Sequence, residues 1–264
     1  MSIIKRQKTA CKIYSTLFSV FFLLVFTNCG LDVYPFFNPP YTDGHIAYYT
    51  SDDAIQNYFS FITNETSDNN TENDFLGTEI YYKIYNNYSI MVSAENSVSS
   101  LNSSTTNSTA AIENLIDSRG YKPLKLSTGS LNPLIQDAGQ NRYVYIRLND
   151  YPTDSTRSAA IRIGSSSMSD STSGSPLTYK GTSVFPRRYI DSDYGFNFNS
   201  SSSSNPLPKS GDADVNFSSS SSDSGVWYVD MYAVSVGRDS SFTSYYSKVL
   251  FLGSISIKEA DYNN

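Results

Sequence analysis

Short runs of alternating apolar and polar residues constrain the fold of this chain more than any other feature. In "TEIYYKIY", Ile80, Tyr82 and Ile84 fall on one face of an extended strand, and Tyr81 and Tyr85 fall on the other. Successive side chains of a β-strand point to opposite faces, so this alternation predicts a half-buried strand. The chain also contains 22 tyrosines and 15 phenylalanines, which β-sheet surfaces favour. We therefore predict a mainly β fold.

Two further runs follow the same pattern. In "RYVYIRL", Val144, Ile146 and Leu148 form the predicted inward face, and Tyr143 and Tyr145 point outward; "SAAIRIG" alternates in the same way. Between such runs lie segments rich in Ser, Asn and Thr, which carry too little apolar surface to offset the entropy of ordering. We predict these segments to be loops, at residues 64–74, 96–109, 165–176, 199–205 and 216–224.

Two segments depart from the β pattern and predict short helices. In "SDDAIQNYFSFI", Ser51 can cap a helix whose apolar residues recur at helical spacing, although Tyr58 to Thr63 fits a strand equally well. In "STAAIENLIDSRG", apolar residues form one helical stripe, and Gly120 stands where a helix C-terminus favours glycine. The second helix is the better supported of the two.

The first 28 residues have the order of a secretory signal. Basic residues between Lys5 and Lys12 precede a mainly apolar stretch from Ile13 to Phe26. A spanning helix needs roughly 20 apolar residues, and this stretch is shorter. We therefore predict that residues 1–28 are a signal peptide and that the protein is exported.

Cys29 directly follows this stretch, in "LLVFTNCGLD". The segment is similar to a bacterial lipobox, which implies a diacylglyceryl group on the Cys29 sulfur and cleavage just before it. The alternative is a free or paired thiol, but the other cysteine, Cys11, lies inside the predicted signal and leaves with it. Acyl chains hold a protein on a membrane when two or more are present. Cys29 is therefore the predicted lipidation site and membrane anchor.

The domain organisation and the charge follow from this processing. We predict a lipidated cysteine and tether over residues 29–43, an elaborated β-sandwich over 44–258 and a polar tail over 259–264. Removing residues 1–28 leaves 15 basic and 25 acidic groups, a net charge of about −10. Because an acidic surface repels nucleic acid, we expect no nucleic-acid partner.

The C-terminal region resembles a known family. In "WYVDMYAVSVG", Trp227, Val229, Met231 and Ala233 alternate as in the F strand of fibronectin type III domains. "GRDSSFT" resembles the F–G turn, "YYSKVLFLGSISI" the G strand and "LGTEIYYK" the C strand of that family. The resemblance implies an Ig- or fibronectin-III-like antiparallel β-sandwich, in which Val249 and Phe251 or their apolar neighbours close the core beside Trp227. As a whole, the chain resembles uncharacterised lipoproteins of treponeme-type spirochaetes, which implies an envelope location.

Few residues are candidates for catalysis. The only histidine, His45, is predicted to lie in a loop or at a strand edge. Carboxylate pairs for glycoside hydrolysis can be drawn from Glu79, Asp191, Asp193 and Asp230, but the sequence does not set their separation, which decides the mechanism.

"DADVNFSSSSSD" places oxygen ligands at offsets like those of an EF-hand loop: Asp212, Asp214, Asn216, Ser218, Ser220 and Asp223. Phe217 stands where such a loop needs glycine, so we predict a polar loop here and no metal or other cofactor.

The outward tyrosines of the first two runs form a candidate binding surface. On adjacent strands, Tyr81, Tyr85, Tyr143 and Tyr145 would make an aromatic stripe, and tyrosine contributes a large contact area at binding sites with little loss of rotamer entropy. The alternative is that these rings face a second layer and belong to the core.

We therefore expect a lipid-anchored binding or structural module of the bacterial envelope, in the inner or outer membrane, with a protein or a glycan as its ligand. The alternative is an extracytoplasmic enzyme that acts on carbohydrate through paired carboxylates. A concave pocket with two facing carboxylates would favour the enzyme, and a packed sandwich with grooves at its loops would favour the module.

Overall fold

Two β-sheets pack face to face, and helices cover the outer face of the larger sheet. A computed structural model describes residues 36–49, 54–71, 74–104, 107–151, 153–190, 193–220, 225–238 and 242–259. All of them belong to one compact unit, Pro35–Asn264.

The strands of this unit are β1 (Phe59–Ile62), β2 (Asp74–Tyr85), β3 (Lys122–Pro123), β4 (Lys125–Leu126), β5 (Ile135–Gln136), β6 (Tyr143–Arg147), β7 (Ala160–Gly164), β8 (Ser175–Pro176), β9 (Thr178–Tyr179), β10 (Thr182–Ser183), β11 (Pro186–Arg187), β12 (Val215–Asn216), β13 (Val226–Arg238) and β14 (Ser244–Lys258). Its α-helices are α1 (Asp68–Thr71), α2 (Tyr88–Asn102) and α3 (Ala110–Glu113), and short 3-10 turns lie at Ala54–Gln56 and Ser155–Arg157.

The larger sheet is built around β2 and β13, and we call it the long sheet. Its strand order is β12-β2-β13-β14, and β3 and β5 also pair with β2. The pairing of β12 with β2 is parallel, and the other pairings are antiparallel. The second sheet, the short sheet, is antiparallel with the order β1-β6-β7-β8. Two separate ladders join β9 to β10 and β4 to β11.

The core between the two sheets consists of the side chains that alternation predicted to point inward. The long sheet contributes residues of β2, β13 and β14, and the short sheet contributes residues of β1, β6 and β7, all in one buried cluster. Among them are Ile80, Tyr82, Ile84, Val144, Ile146, Leu148, Trp227, Val229, Met231 and Ala233. The prediction of a mainly β, antiparallel sandwich is therefore confirmed.

Helix α2 was missed by the sequence analysis, which placed residues 96–109 in a loop. The Asn87 side chain caps the helix by accepting a hydrogen bond from the Ile90 N–H at 3.1 Å. Met91, Ala94 and Val98 recur at helical spacing and are buried against the long sheet. The loop prediction is wrong for residues 96–102, because this apolar stripe offsets the low helix propensity of the Ser and Asn residues around it.

The two predicted helices have different outcomes. The one in "STAAIENLIDSRG" is confirmed as α3, which continues as a π-helical turn over Asn114–Ser118, and Gly120 follows with φ of 67°. In "SDDAIQNYFSFI", the described residues from 54 onward form the 3-10 turn Ala54–Gln56, and β1 begins at Phe59. Pairing with β6 and burial on both faces favour the strand, which was the stated alternative. Ser51 lies outside the described residues.

The folded domain begins earlier than the predicted boundary at residue 44. Phe37 is fully buried, and its ring lies 6.1 Å from that of Phe75. It packs so closely on Gly237 that a Cβ there would overlap the ring. Tyr41 exchanges two backbone hydrogen bonds with Ile62, at 3.0 and 2.8 Å. The predicted tether is therefore wrong for residues 36–43, because an apolar ring and a strand pairing hold them in the domain.

A β-bulge changes the side on which the last strand buries its residues. The register of β13 with β14 shifts between Met231 and Tyr232, which pair with Gly253 and Phe251 respectively. The extra residue, Leu252, joins the core between the sheets, whereas Val249 and Phe251 face the helices. Of the residues predicted to close the core beside Trp227, Val249 and Phe251 do not do so, and their apolar neighbours Leu252, Ile255 and Ile257, the stated alternative, take that position.

Strands β2, β13 and β14 are neighbours in that order, as the C, F and G strands of the resembled family would be. Assignment to the fibronectin type III family stays a prediction, since a three-strand order occurs in many antiparallel sheets.

Strand β14 lies at the edge of the long sheet, and two contacts cover part of its outer backbone edge. The Asn102 side chain donates to the Val249 carbonyl at 2.8 Å and accepts from the Val249 N–H at 3.0 Å. Ala47 pairs alongside Gly253, donating to the Leu252 carbonyl and accepting from the Ser254 N–H. None of the helices in the described part of the chain is long and apolar enough to cross a bilayer.

Trp227→Ala should strongly destabilise the domain. Trp227 is 7 % exposed and packs edge-on against the buried Phe198, and truncating a buried aromatic residue costs about 3–5 kcal/mol. Urea denaturation followed by circular dichroism measures the loss. The only tryptophan should also emit blue-shifted fluorescence until the protein unfolds. Phe242→Ala is the control, because Phe242 is 78 % exposed. Native emission at the wavelength of free tryptophan would contradict the burial of Trp227.

Candidate functional site

The four tyrosines of the predicted aromatic stripe lie on opposite outer faces of the sandwich. Tyr81 and Tyr85 extend from β2 beneath the helices and are 7 % and 1 % exposed. Tyr143 and Tyr145 belong to the short sheet, where Tyr145 is fully buried and stacks on Tyr58 at 5.0 Å. The prediction of one outward stripe is wrong, because β2 and β6 belong to different sheets and both turn these rings away from the shared core. A role for the four rings in binding a ligand stays a prediction.

His45 has a structural environment. Its ring stacks on Tyr58 with centroids 3.9 Å apart, and its Nε2 donates to the Tyr58 carbonyl oxygen at 2.9 Å. The nearby Asp43 carboxylate accepts hydrogen bonds from the His45 backbone N–H and from the Ser60 hydroxyl. These contacts fix the loop that precedes β1, and they agree with the prediction of a loop histidine.

The acidic residues of the calcium-like motif point toward an arginine. Arg188 is fully buried, and its Nη2 donates to Asp212 Oδ2 at 2.7 Å and to Asp214 Oδ1 at 2.8 Å. Its Nε donates to Asp214 Oδ2 at 3.0 Å. The guanidinium occupies oxygens of both carboxylates that a calcium ion would need as ligands, and it offsets one of their two negative charges. Asp223 lies outside the described residues, and within them no three His, Cys, Asp or Glu side chains gather as a metal site would require.

Tyr82 connects this ion pair to the centre of the long sheet. Its hydroxyl donates to Asp214 Oδ2 at 2.6 Å and accepts from the Tyr189 N–H at 2.5 Å. Burial raises the pKa of Tyr82 well above its usual value, and the negative charge of Asp214 raises it further, so this hydroxyl stays protonated. The Tyr82–Asp214–Arg188 network therefore fixes the backbone at Tyr189 and the position of Asp212.

A cavity of about 520 Å³ opens beside this network. We call it the lysine–tyrosine pocket, and its lining includes Lys125, Tyr189, Ile190, Tyr194, Lys209 and Asp212. Pockets of this volume are large enough for a small ligand or a short segment of an oligomer.

Charge and aromatic surface distinguish this pocket. The Lys125 ammonium donates to the Ile190 carbonyl at 3.0 Å, and it can donate as many as three hydrogen bonds. Tyr189 is 41 % exposed, and the Lys122 ammonium lies 5.9 Å from the centre of its ring. Asp212 is the one carboxylate among the described lining residues, and it shares Arg188 with Asp214. Arg188 offsets one of these two negative charges, so Lys125 and Lys209 leave a local positive charge at the pocket on a chain whose net charge is −6.

This pocket was not predicted from the sequence. Asp191 and Asp193 were considered there only as candidate carboxylates for glycoside hydrolysis, whereas Tyr189 and Tyr194, which flank them, line the pocket. Lys125 and Lys209 are distant in the chain, and they meet only because β4 pairs with β11 and the Lys209–Asp212 turn precedes β12.

The carboxylates proposed for glycoside hydrolysis do not form a facing pair among the described residues. Asp193 is largely exposed and lies 3.5 Å from the Arg187 guanidinium. Asp230 is fully buried and accepts a hydrogen bond from the Tyr121 hydroxyl. It lies opposite Lys83 on β2, four residues from Glu79. At about 3.3 Å per residue, Glu79 is roughly 13 Å along the sheet, beyond the roughly 5–9.5 Å of glycosidase carboxylates. Asp191 lies outside the described residues.

Glu79→Gln should stabilise the protein at high pH only. Burial raises the pKa of Glu79 from 4.5 to about 7, although the Ile80 and Leu134 N–H groups oppose the shift. Below about pH 4.5 the folded and unfolded states are both protonated. Between about pH 4.5 and 7 the unfolded state ionises while the folded state keeps its proton, so the free energy of unfolding falls across this range and stays lower above pH 7.

The substitution should therefore raise the free energy of unfolding by about 1–3 kcal/mol at pH 8 and leave it nearly unchanged at pH 4. Urea denaturation at both pH values provides the measurement. Asp117→Asn, at an exposed carboxylate, serves as the control and should shift both values by less than about 0.5 kcal/mol. An equal gain for Glu79→Gln at pH 4 and pH 8 would contradict the assignment.

Comparisons with protein-family models, with curated protein sequences and with solved structures found no match to this chain. Its function is therefore inferred from its own residues and contacts.

Proposed function

We propose that this chain is an exported, lipid-anchored module of the bacterial envelope that binds an acidic glycan in the lysine–tyrosine pocket. The observation that carries the binding role is the pocket itself, where Lys125, Lys209 and two tyrosines meet on an acidic protein. An Ig- or fibronectin-like sandwich is the fold we assign to the module, with the pocket at its loop side.

The N-terminal pattern supports the anchor. Basic residues, a short apolar stretch and Cys29 follow one another in the order that export and lipidation require. After processing, Cys29 is the only cysteine, so its sulfur is left for the acyl group. This part of the proposal rests on residues 1–29, which lie outside the described residues.

The chemistry of the pocket supports an acidic sugar as the ligand. Ammonium groups bind carboxylates as strongly hydrated point charges, and two of them are available at this site. Exposed tyrosine rings offer an apolar face to the C–H groups of a sugar and a hydroxyl to its oxygens. The Tyr82–Asp214–Arg188 network holds Tyr189 in place before binding, which lowers the entropy cost of association.

The same pocket gives less support to the alternative, a carbohydrate-acting enzyme. Hydrolysis by paired carboxylates needs a general acid and a second carboxylate across the scissile bond. Among the described lining residues the only carboxylate is Asp212, which Arg188 and the Lys209 N–H already engage.

Cys29→Ser should abolish labelling of the protein by radioactive palmitate. It should also move the protein from the detergent phase to the aqueous phase in a phase-partitioning assay, because the sulfur is the attachment point. Cys11→Ser is the matched control and should leave both labelling and partitioning unchanged. Retention of Cys29→Ser in the detergent phase would refute the lipid anchor.

The full chain in non-ionic detergent should bind a uronic-acid oligosaccharide, and it should not bind the methyl ester of the same oligosaccharide. Lys209→Gln should weaken binding by about three- to tenfold, since one partly exposed charge pair is lost. Lys180→Gln is the control, because Lys180 also lies over a tyrosine ring, at 5.2 Å, but outside this pocket. Calorimetric titration measures the affinities. Equal binding of the acid and its ester would argue against recognition of the carboxylates.

A further inference from the structure

A second cavity lies between α2 and the last strand of the long sheet. Its volume is about 240 Å³, which corresponds to roughly eight water molecules at about 30 Å³ each. The lining residues that matter here are Glu95, Val98, Tyr232, Val249 and Phe251. This cavity shares no described lining residue with the lysine–tyrosine pocket.

Glu95 brings a carboxylate from α2 to the wall of this cavity. Its Oε1 is buried and has no hydrogen-bond partner among the described residues. Burial raises the pKa of Glu95, and a hydrogen bond from Ser254 opposes that shift. An oxygen withdrawn from water without a partner is costly, and a bound positive group would remove that cost.

A second buried carboxylate lies beneath the helix. Asp230 on β13 is fully buried, and its Oδ1 also has no partner among the described residues. Burial raises the pKa of Asp230 well above its usual value; the Tyr121 hydroxyl opposes this shift, and the charge of Glu95 adds to it. The positive charge of Lys83 also opposes this shift, and its ammonium donates to the Gly120 carbonyl at 3.0 Å. Burial thus favours the neutral form of both carboxyl groups, and a cation bound on this side of the sheet would favour their ionisation.

Aromatic and aliphatic side chains complete the wall. The rings of Tyr232 and Phe251 lie 5.1 Å apart and are tilted by 42°. The faces of such rings attract cations, and most strongly where water is excluded. Val98 and Val249 add apolar surface suited to alkyl groups. A bare metal ion fits this lining poorly, because no cluster of three acidic, His or Cys ligands occurs within the described residues.

We propose that this cavity binds a small organic cation, an amine or a quaternary ammonium ion, with Glu95 as its counter-ion and the rings of Tyr232 and Phe251 as its aromatic walls. The site is independent of the glycan-binding role.

Tetramethylammonium is a suitable probe, because its charge is surrounded by methyl groups and it cannot donate a hydrogen bond. Saturation-transfer NMR on the full chain in non-ionic detergent should detect binding, with a Kd on the order of 1 mM for a ligand of this size. Glu95→Gln keeps the shape of the side chain and removes its charge, so it should weaken binding at least tenfold. Glu113→Gln, at an exposed glutamate of the neighbouring helix α3, should leave the affinity unchanged.

Phe251→Leu tests the aromatic wall without altering the charge. It should weaken binding of tetramethylammonium about three- to tenfold, and circular dichroism should confirm that both variants remain folded. Unchanged affinity in Phe251→Leu and Glu95→Gln would overturn the proposal. Competition by neutral tert-butanol would also overturn it, since the cavity would then select for apolar shape alone. Displacement of tetramethylammonium by calcium chloride at equal concentration would reassign the site to an inorganic cation and would equally overturn the proposal.

Discussion

The rest of the structure depends on strand β2, which is enclosed on both faces and both edges. Ile80, Tyr82 and Ile84 face the short sheet, and Tyr81 and Tyr85 face the helices. Strand β13 occupies one edge, and β12, β3 and β5 occupy the other in turn. A strand enclosed in this way must satisfy its backbone hydrogen bonds within the protein, because no water reaches them. The short strands along its second edge meet this need, and they draw their connecting segments to the same side.

The buried ion pair of Arg188 and Asp214 belongs to this arrangement. Removing two charges from water costs several kcal/mol per ion, so such a pair adds little to stability compared with apolar packing. The pair instead helps to fix the backbone at Tyr189, because the Tyr82 hydroxyl binds both Asp214 and the Tyr189 N–H. A polar network that is paired through several members rigidifies its surroundings. The irregular segments around the lysine–tyrosine pocket are thereby held against the most constrained strand of the protein.

The sequence predicted which residues of a strand face the core, but it did not predict which strands pair with one another. Period-two alternation identified the inward residues of β2 and β6, because a register slip of one residue would expose all of them. It did not show that the two strands lie in different sheets, so Tyr81 and Tyr145 were assigned to one surface. Helix α2 was predictable from Asn87 and its apolar stripe, but Ser-rich composition concealed it. The bulge at Leu252 and the meeting of Lys125 with Lys209 arise from tertiary pairing, which single-sequence patterns do not encode.

The Asn102 side chain, which bonds both backbone groups of Val249 at the edge of β14, has a consequence beyond the folded monomer. An uncovered edge strand is a template for strands of other molecules. The Asn102 carboxamide bonds the N–H and the carbonyl of Val249 together, as the backbone of a neighbouring strand would, so these two groups are already paired. A strand of another copy would have to displace this amide before it could form a hydrogen bond with the backbone of Val249.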